Sequence, residues 1–443
     1  MREYLMGHGG LGRDNLKVEK DFMSNSKTLG RVLVITRMFT GFIESVNNQN
    51  WRPTGMPAIY KFIEGLNQSQ FQYDLVFLGK RKRETTEIHS KKVVNFSNFK
   101  GLCYVFPYKE NRIFKSSRID EFITLIYHLW TCFNMVRKHN YDLIYIDRPN
   151  IILAAFFTLF MRKKVVVRFL GIKPGQKSFT ELIGKLKAPL TYLCHKARFA
   201  YVICSQDGSG GEYYLKKILN RSTSYEVLLN GIDSIEDRNI EAKKFKNRIG
   251  INNNFPVILF VGKMETQKGC REFIEALIAL NKINSKFKAI MVGDGPLQYE
   301  LKERVKKSGL SKKIVLTGAV EHKDIYGYYS AANIYVSLNK LGNLSNTVLE
   351  AFYYGQCLVI LNKELESHTD EETEVIIPEH CAVRIDRKDI IGSLTGTLNQ
   401  LLDNPARVSE LSQNARTEAK RVLRCWNDRI AYEMQLLKNI VKG

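Results

Sequence analysis

The chain has 443 residues, 44% hydrophobic and 25% charged, which suits two globular cores and excludes a disordered polypeptide. Sixty-seven basic against forty-five acidic side chains leave a formal charge of +22, which points to a polyanionic neighbour or surface; with no zinc-finger or RNA-binding signature, nucleic acid is not the expected partner. The eight cysteines stand apart, with no Cys-x-x-Cys pair and no Cys/His cluster at zinc spacing, so no metal site is expected and reduced core thiols in a cytoplasmic protein are.

Residues 1–30 begin MREYLMGHGGLGRDNLKVEKDF, lack an apolar h-region, and read as a loose extension. The longest apolar runs, such as Ile151–Met161, fall short of a bilayer span. RVLVITRMF (Arg31–Phe39) predicts the buried first strand of an α/β domain. GMPAIYKFIEGL (Gly55–Leu66) predicts a helix with Pro57 in its first turn; Gly55 before it fits either a close approach to a ligand or a plain turn. YDLVFLG (Tyr73–Gly79) is the next strand, RKRETTEIHSKK a basic loop, and VVNF and CYVFPY further strands. Residues 119–139 are expected to be helical with Phe122, Leu125, Ile126, Leu129 and Phe133 on roughly one face.

YDLIYID (Tyr141–Asp147), a helix over NIILAAFFTLFMRKK, and the strand VVVRFLGI (Val165–Ile172), whose exit carries Arg168 and Gly171, follow. LIGKLKAPLTYLCHKARF interleaves leucines and aromatics with lysines. That pattern fits a core helix with a basic solvated face, or a surface lying on an anionic bilayer. AYVICSQDGSGG runs from a strand into a glycine-rich turn, and YEVLLNGID (Tyr225–Asp233) closes this half on an Asn230-Gly231 turn. Strand–helix alternation on this scale predicts a parallel sheet covered on both faces.

The second half repeats the rhythm after a charged linker, EDRNIEAKKFKNRIGINNN. In VILFVGKMETQKGCREFIEAL (Val257–Leu277) a buried strand ends at Gly262 and a loop carries Lys263 and Lys268. Lysines at a strand's carboxyl end sit where open α/β sheets bind ligands, and a compact ammonium suits a diphosphate; two solvated surface lysines would read the same way. FKAIMVGDG places Gly293 and Gly295 at the next strand end. GNLSNTVLEAFYYG (Gly342–Gly355) opens polar and turns apolar: Ser345, Asn346 and Thr347 can cap a helix whose free amides attract phosphate, with Glu350 about a turn inside. From Leu401 the pattern is helical to the end, with Trp426 a candidate anchor.

The order of Lys263 and Lys268, VGDGP and Gly342–Glu350 resembles the carboxyl-terminal half of family-four (group 1) glycosyltransferases of the GT-B fold. The resemblance implies two doubly wound α/β domains facing a cleft: 31–235 for the acceptor and 236–410 for a nucleotide-diphosphate sugar. Helices over 411–443 would follow, the last crossing back to the first domain. It implies transfer with retention, without a metal cofactor, to a hydroxyl of a glycan or lipid-linked acceptor, as in surface polysaccharide synthesis at the inner face of a membrane. Lys263 and Lys268 would clamp the donor diphosphate, and Glu350 matches the second glutamate of the family's Glu-x7-Glu motif, which grips ribose. Gly262, Gly293, Gly295, Asn343, Ser345, Asn346 and Thr347 would line the donor, and Gly55 and Arg168 the acceptor side. The first motif glutamate is replaced by Gly342. That departure keeps two alternatives open, a sugar-nucleotide epimerase of the same fold and a catalytically silent scaffold.

Overall fold

A computed structural model describes residues 28–80, 90–110, 117–233, 245 and 255–443. The expected extension (but for residues 28–30), the basic loop over 81–89, and the domain boundary and linker (but for Phe245) lie outside these residues.

The first sheet has eight strands: β1 (Arg31–Arg37), β2 (Gln72–Leu78), β3 (Lys92–Val94), β4 (Cys103–Phe106), β5 (Leu143–Asp147), β6 (Lys164–Phe169), β7 (Tyr201–Gln206) and β8 (Tyr225–Leu229). Their spatial order is β3-β4-β2-β1-β5-β6-β7-β8. Every pair is parallel except the β3–β4 edge, which is antiparallel. The second sheet comprises β9 (Val257–Val261), β10 (Lys288–Val292), β11 (Ile314–Gly318), β12 (Ile334–Ser337), β13 (Cys357–Leu361) and β14 (Ala382–Ile385), all parallel, in the order β11-β10-β9-β12-β13-β14. The unbroken apolar runs VILFV and CLVIL are buried at every residue, as strands covered on both faces must be. All eight cysteines are free, and all but Cys425 are buried.

The last helix, Trp426–Lys442, packs on the first sheet's layer. Trp426 and Ile430 join Phe62, Val166 and Leu228 in one core, Lys164 Nζ donates to the carbonyl of Ile440 at 2.9 Å, and the Tyr432 hydroxyl donates to Glu226 at 2.7 Å. This helix corrects the expectation for Arg168. On β6, Arg168 shares a face with Val166 two residues earlier, and that face is covered by the helix rather than open to the cleft. Its guanidinium is wholly buried and donates to Glu433 Oε1 at 2.6 Å and Ser205 Oγ at 3.3 Å. Arg429 lies 2.5 Å from the same Glu433 oxygen. Burial alone would raise the Glu433 pKa; the two guanidiniums outweigh it and hold the carboxyl below its usual range.

The expected helix over 119–139 is present as Ser117–Lys138. It buries Asp120, Thr124, His128, Thr131 and Cys132, while Phe122, Ile126 and Trp130 stand exposed. The polar face turns inward because loop backbone needs partners there: His128 Nε2 lies 3.1 Å from the Pro107 carbonyl, and Thr124 Oγ1 accepts from Lys109 N at 3.0 Å.

Candidate active site

The end of β9 and the end of β10 fold against each other. Gly262 N donates to Val292 O at 2.9 Å, Met264 N donates to Asp294 O at 2.9 Å, and Leu297 N donates to Met264 O at 3.0 Å. Gly293 has φ +131°, and a Cβ there would lie 2.0 Å from the Gly262 carbonyl oxygen, so this turn closes only around glycine. Gly295 likewise sits against the Met264 backbone. The three glycines therefore build the floor of the Lys263–Lys268 loop.

The two lysines differ. Lys263 is exposed and pairs with its neighbour Glu265. Lys268 ends a 3₁₀ turn (Thr266–Lys268) and is half-buried. Burial holds its ammonium below the usual lysine range, against the opposing pull of Asp207 and Glu265. A partly desolvated cation attracts an incoming phosphate more strongly than a fully solvated one.

Gly269, next in sequence, packs on Leu338, and Lys340 N donates to Gln267 O at 2.9 Å. The loop that starts there ends at the Asn346–Tyr353 helix. Ser345 is its N-cap in extended conformation, and its carbonyl accepts from Val348 N at 2.9 Å and Leu349 N at 3.0 Å. Its hydroxyl makes no cap bond, lying instead 3.2 Å from Thr347 Oγ1. Asn346 Oδ1 accepts from Asn230 Nδ2 of the other half at 2.7 Å.

Glu350 is held at both oxygens. The Tyr329 hydroxyl donates to Oε2 at 2.9 Å, and His322 Nε2 lies 3.3 Å from Oε1. Burial and then the Glu350 charge raise the Tyr329 pKa well above its ordinary value, so this phenol stays a donor. Glu350 faces a cavity of about 940 Å³ whose lining includes Glu44, Gly55 and Tyr60 from the first half and Val320, His322 and Asn346 from the second. At Gly55 (φ +62°) nothing lies within 4 Å of where a Cβ would stand, so it borders open space. His322 was not foreseen; its signal is a histidine at the start of the helix after β11, in GAVEHKDI.

Asn343 is corrected. It is fully buried; its amide nitrogen donates to Asp370 Oδ2 at 2.8 Å and its Oδ1 accepts from Ser337 Oγ at 3.3 Å. Its hydrogen bonds hold the loop rather than reach into the cleft.

The structure also gives a reason for Gly342. Its φ is +143°, and a Cβ would lie 2.3 Å from the Asp207 carbonyl oxygen and 2.6 Å from the carbonyl carbon of Gly208. The turn after β7 lies directly on it: Leu344 N donates to Asp207 O at 3.2 Å, and Asp370 N donates to Gly208 O at 2.7 Å. No side chain fits at 342 while that turn stays. In exchange the turn brings a carboxylate that sequence reading passed over. Asp207 Oδ1 accepts from Ser209 N at 3.0 Å, and burial pushes the Asp207 pKa up to about 6. Lys268 feels its charge. The cavity at Glu350 is not lined by either lysine; the loop over 338–346 joins the two, its start on Gly269 and its end carrying Asn346 into the cavity.

Residues 241–418 match the family of glycosyl transferases group 1. That match, with relatives named as glycosyltransferases, supports a glycosyltransferase enzyme. It is similar to alpha-D-kanosaminyltransferase of Streptomyces kanamyceticus, 24% identical over 59% of this chain and 68% of that one. It is 31% identical to the lipopolysaccharide core biosynthesis mannosyltransferase LpsB of Rhizobium meliloti over 34% of this chain, spanning 45% of that relative's length. Among solved structures, sucrose-phosphate synthase from Thermosynechococcus elongatus superimposes with TM-score 0.64 at 17% identity, covering 93% of this chain and 99% of that one. HepE of Anabaena, solved in complex with UDP, does so with TM-score 0.64 at 15% identity, covering 91% and 99%. The fold is GT-B, two parallel-sheet α/β units. Among the described residues, no helix is long and apolar enough to cross a membrane, and no group of three or more His, Cys, Asp or Glu side chains could hold a metal ion.

Proposed function

We propose that the protein transfers a sugar, with retention at the anomeric carbon, from a nucleotide-diphosphate sugar to a hydroxyl of a glycan or lipid-linked acceptor. The observation that carries this is Glu350, held by Tyr329 and His322 on the wall of a cavity lined by both halves. A carboxylate so fixed accepts hydrogen bonds from the ribose hydroxyls. Lys268 and the amino end of the Asn346–Tyr353 helix supply positive charge for the diphosphate, so the reading needs no metal. Lys263, exposed and paired with Glu265, is assigned a lesser share. Structural relatives solved with UDP and UDP-glucose support a nucleotide sugar as donor.

In the proposed step the bond from the anomeric carbon to the donor phosphate oxygen breaks, and a bond to the acceptor oxygen forms on the same face. The acceptor's proton passes to the leaving phosphate. The protein contributes positioning and charge stabilisation rather than a nucleophile. Donor consumption in the presence of acceptor extract tests this. Lys268→Ala and Glu350→Gln should each lower turnover at least tenfold; wild-type turnover in both removes the assignment. The empty position at Gly342 favours a second reading, a silent scaffold, which predicts no nucleotide binding at all.

We place the protein on the cytoplasmic side, peripheral to a membrane and acting in polysaccharide or glycoconjugate synthesis. Leu182, Ile183, Leu186, Leu190 and Leu193 are exposed along the two short helices Leu182–Lys187 and Pro189–Cys194, Leu186 at 70%. Lys185, Lys187 and Lys196 stand among them. Apolar side chains interleaved with cations match an anionic bilayer, which takes both. Co-sedimentation with phosphatidylglycerol vesicles at physiological salt should be strong and should fall in Leu186→Ser/Leu190→Ser; absence of wild-type binding removes the membrane, leaving the chemistry.

A further inference from the structure

Four adjacent strands of the first sheet, in the spatial order β2-β1-β5-β6, each deliver one cation at the carboxyl end. Arg37 ends β1, Arg148 directly follows β5, Lys80 follows β2 by two residues and Lys173 follows β6 by four. The carboxyl edge of a parallel sheet is where such folds bind ligands.

The cations crowd one another. Lys80 and Lys173 keep exposed side chains, yet local desolvation first, and then the charge of Arg37 and Arg148, holds both below the usual lysine range. Two acids face the group. Asp147 is buried, and its oxygens already serve the protein: Oδ2 accepts from Thr36 Oγ1 at 3.1 Å and Arg37 N at 3.2 Å, and Oδ1 accepts from Asn150. Glu265 comes from the other half and pairs with Lys263. Arg37 stacks on Phe39 with its guanidinium carbon 4.6 Å from the ring centre, and Arg148 lies 6.0 Å from that of Phe179. Among the described residues, the buried Nε atoms of Arg37 and Arg148 have no hydrogen-bond partner. Arg37 Nε does lie 3.8 Å from Asp147 Oδ2, an ion pair too long for a hydrogen bond, so four cations against two engaged carboxylates leave a site for a ligand carrying more than one negative charge.

We propose that Arg37, Lys80, Arg148 and Lys173 form an anion site for a phosphate or diphosphate group carried by the acceptor, separate from the donor diphosphate at Lys268 and Asn346. That it is the acceptor's group rests on the reading of the donor site above. The cluster stands on the first sheet and that loop on the second, with Glu265 of the loop within electrostatic reach of Lys173. A lipid-linked glycan presents such a group next to its first sugar.

The test is calorimetric titration of inorganic pyrophosphate into the full chain saturated with uridine or guanosine diphosphate, whichever binds. Wild type should bind pyrophosphate with the nucleotide in place. Lys80→Gln/Lys173→Gln should weaken pyrophosphate at least tenfold and leave nucleotide affinity within twofold. Pyrophosphate that only competes with nucleotide, or binds the double variant as it binds wild type, overturns the proposal. If neither nucleotide binds, the donor reading fails by itself, and the same two proteins titrated without nucleotide still test the cluster. A short-chain prenyl diphosphate binding more tightly than pyrophosphate marks a lipid-linked source; equal binding upholds the site for a diphosphate group alone.

Discussion

Restoring a side chain at position 342 should damage this protein, although a glutamate there would complete the family's motif. A Cβ at Gly342 would stand 2.3 Å from the Asp207 carbonyl oxygen, where ordinary contact begins at 3.4 Å, so backbone must retreat by about 1 Å. Retreat breaks the bonds from Leu344 N to Asp207 O and from Asp370 N to Gly208 O. Each contributes about 1 kcal/mol, and holding a non-glycine residue at this positive φ costs roughly 1–3 kcal/mol more. The sum, roughly 3–5 kcal/mol, should lower the melting temperature of a domain this size by about 10 °C. Thermal unfolding of Gly342→Ala and Gly342→Glu should show similar losses, because the clash begins at Cβ. An alanine variant within about 2 °C of wild type, or a glutamate variant with raised turnover and unchanged melting, would refute the reasoning.

Asp207→Asn should change the pH dependence of stability. Asp207 holds its proton to about pH 6 when folded and gives it up near the ordinary carboxylate value when unfolded, so its favourable contribution is complete below about pH 4 and lost as pH rises through 6. Denaturant titrations should find the variant more stable than wild type at pH 8, by at most about 3 kcal/mol, and equal at pH 4. Glu433→Ala strands Arg168 and Arg429 in a buried site and should cost about 3–5 kcal/mol in urea unfolding; a loss under about 1 kcal/mol would mean water reaches the pair. Tyr329→Phe removes the donor to Glu350 Oε2 and should weaken nucleotide binding by roughly 3–10-fold in calorimetry, with full affinity contradicting the account of how Glu350 is held.

Strands such as Val257–Val261 and Cys357–Leu361 were legible because a doubly covered strand must be apolar throughout. Lys268 and Glu350 stood out as candidates because the loop after β9 carries the first and the helix after β12 carries the second. What stayed hidden depends on contacts between distant segments. Arg168 reads as a strand-exit cation until the Trp426–Lys442 helix, far along the chain, covers it with Glu433. Asn343 reads as a ligand contact until Asp370 claims it. On the Ser117–Lys138 helix the apolar stripe did not show which face is buried, since polar loop atoms recruit Thr124 and His128. Gly342 showed only an absence in sequence, whereas its cause lies in the turn after β7.

The central claim is that Lys268 and Glu350 serve one nucleotide-diphosphate sugar. Calorimetric titration of uridine and guanosine diphosphates into wild type, Lys268→Ala and Glu350→Gln tests it most directly. The account predicts that one nucleotide binds wild type and that both variants lose at least tenfold in affinity for it. Binding of neither nucleotide to wild type, or equal binding by all three proteins, would contradict it.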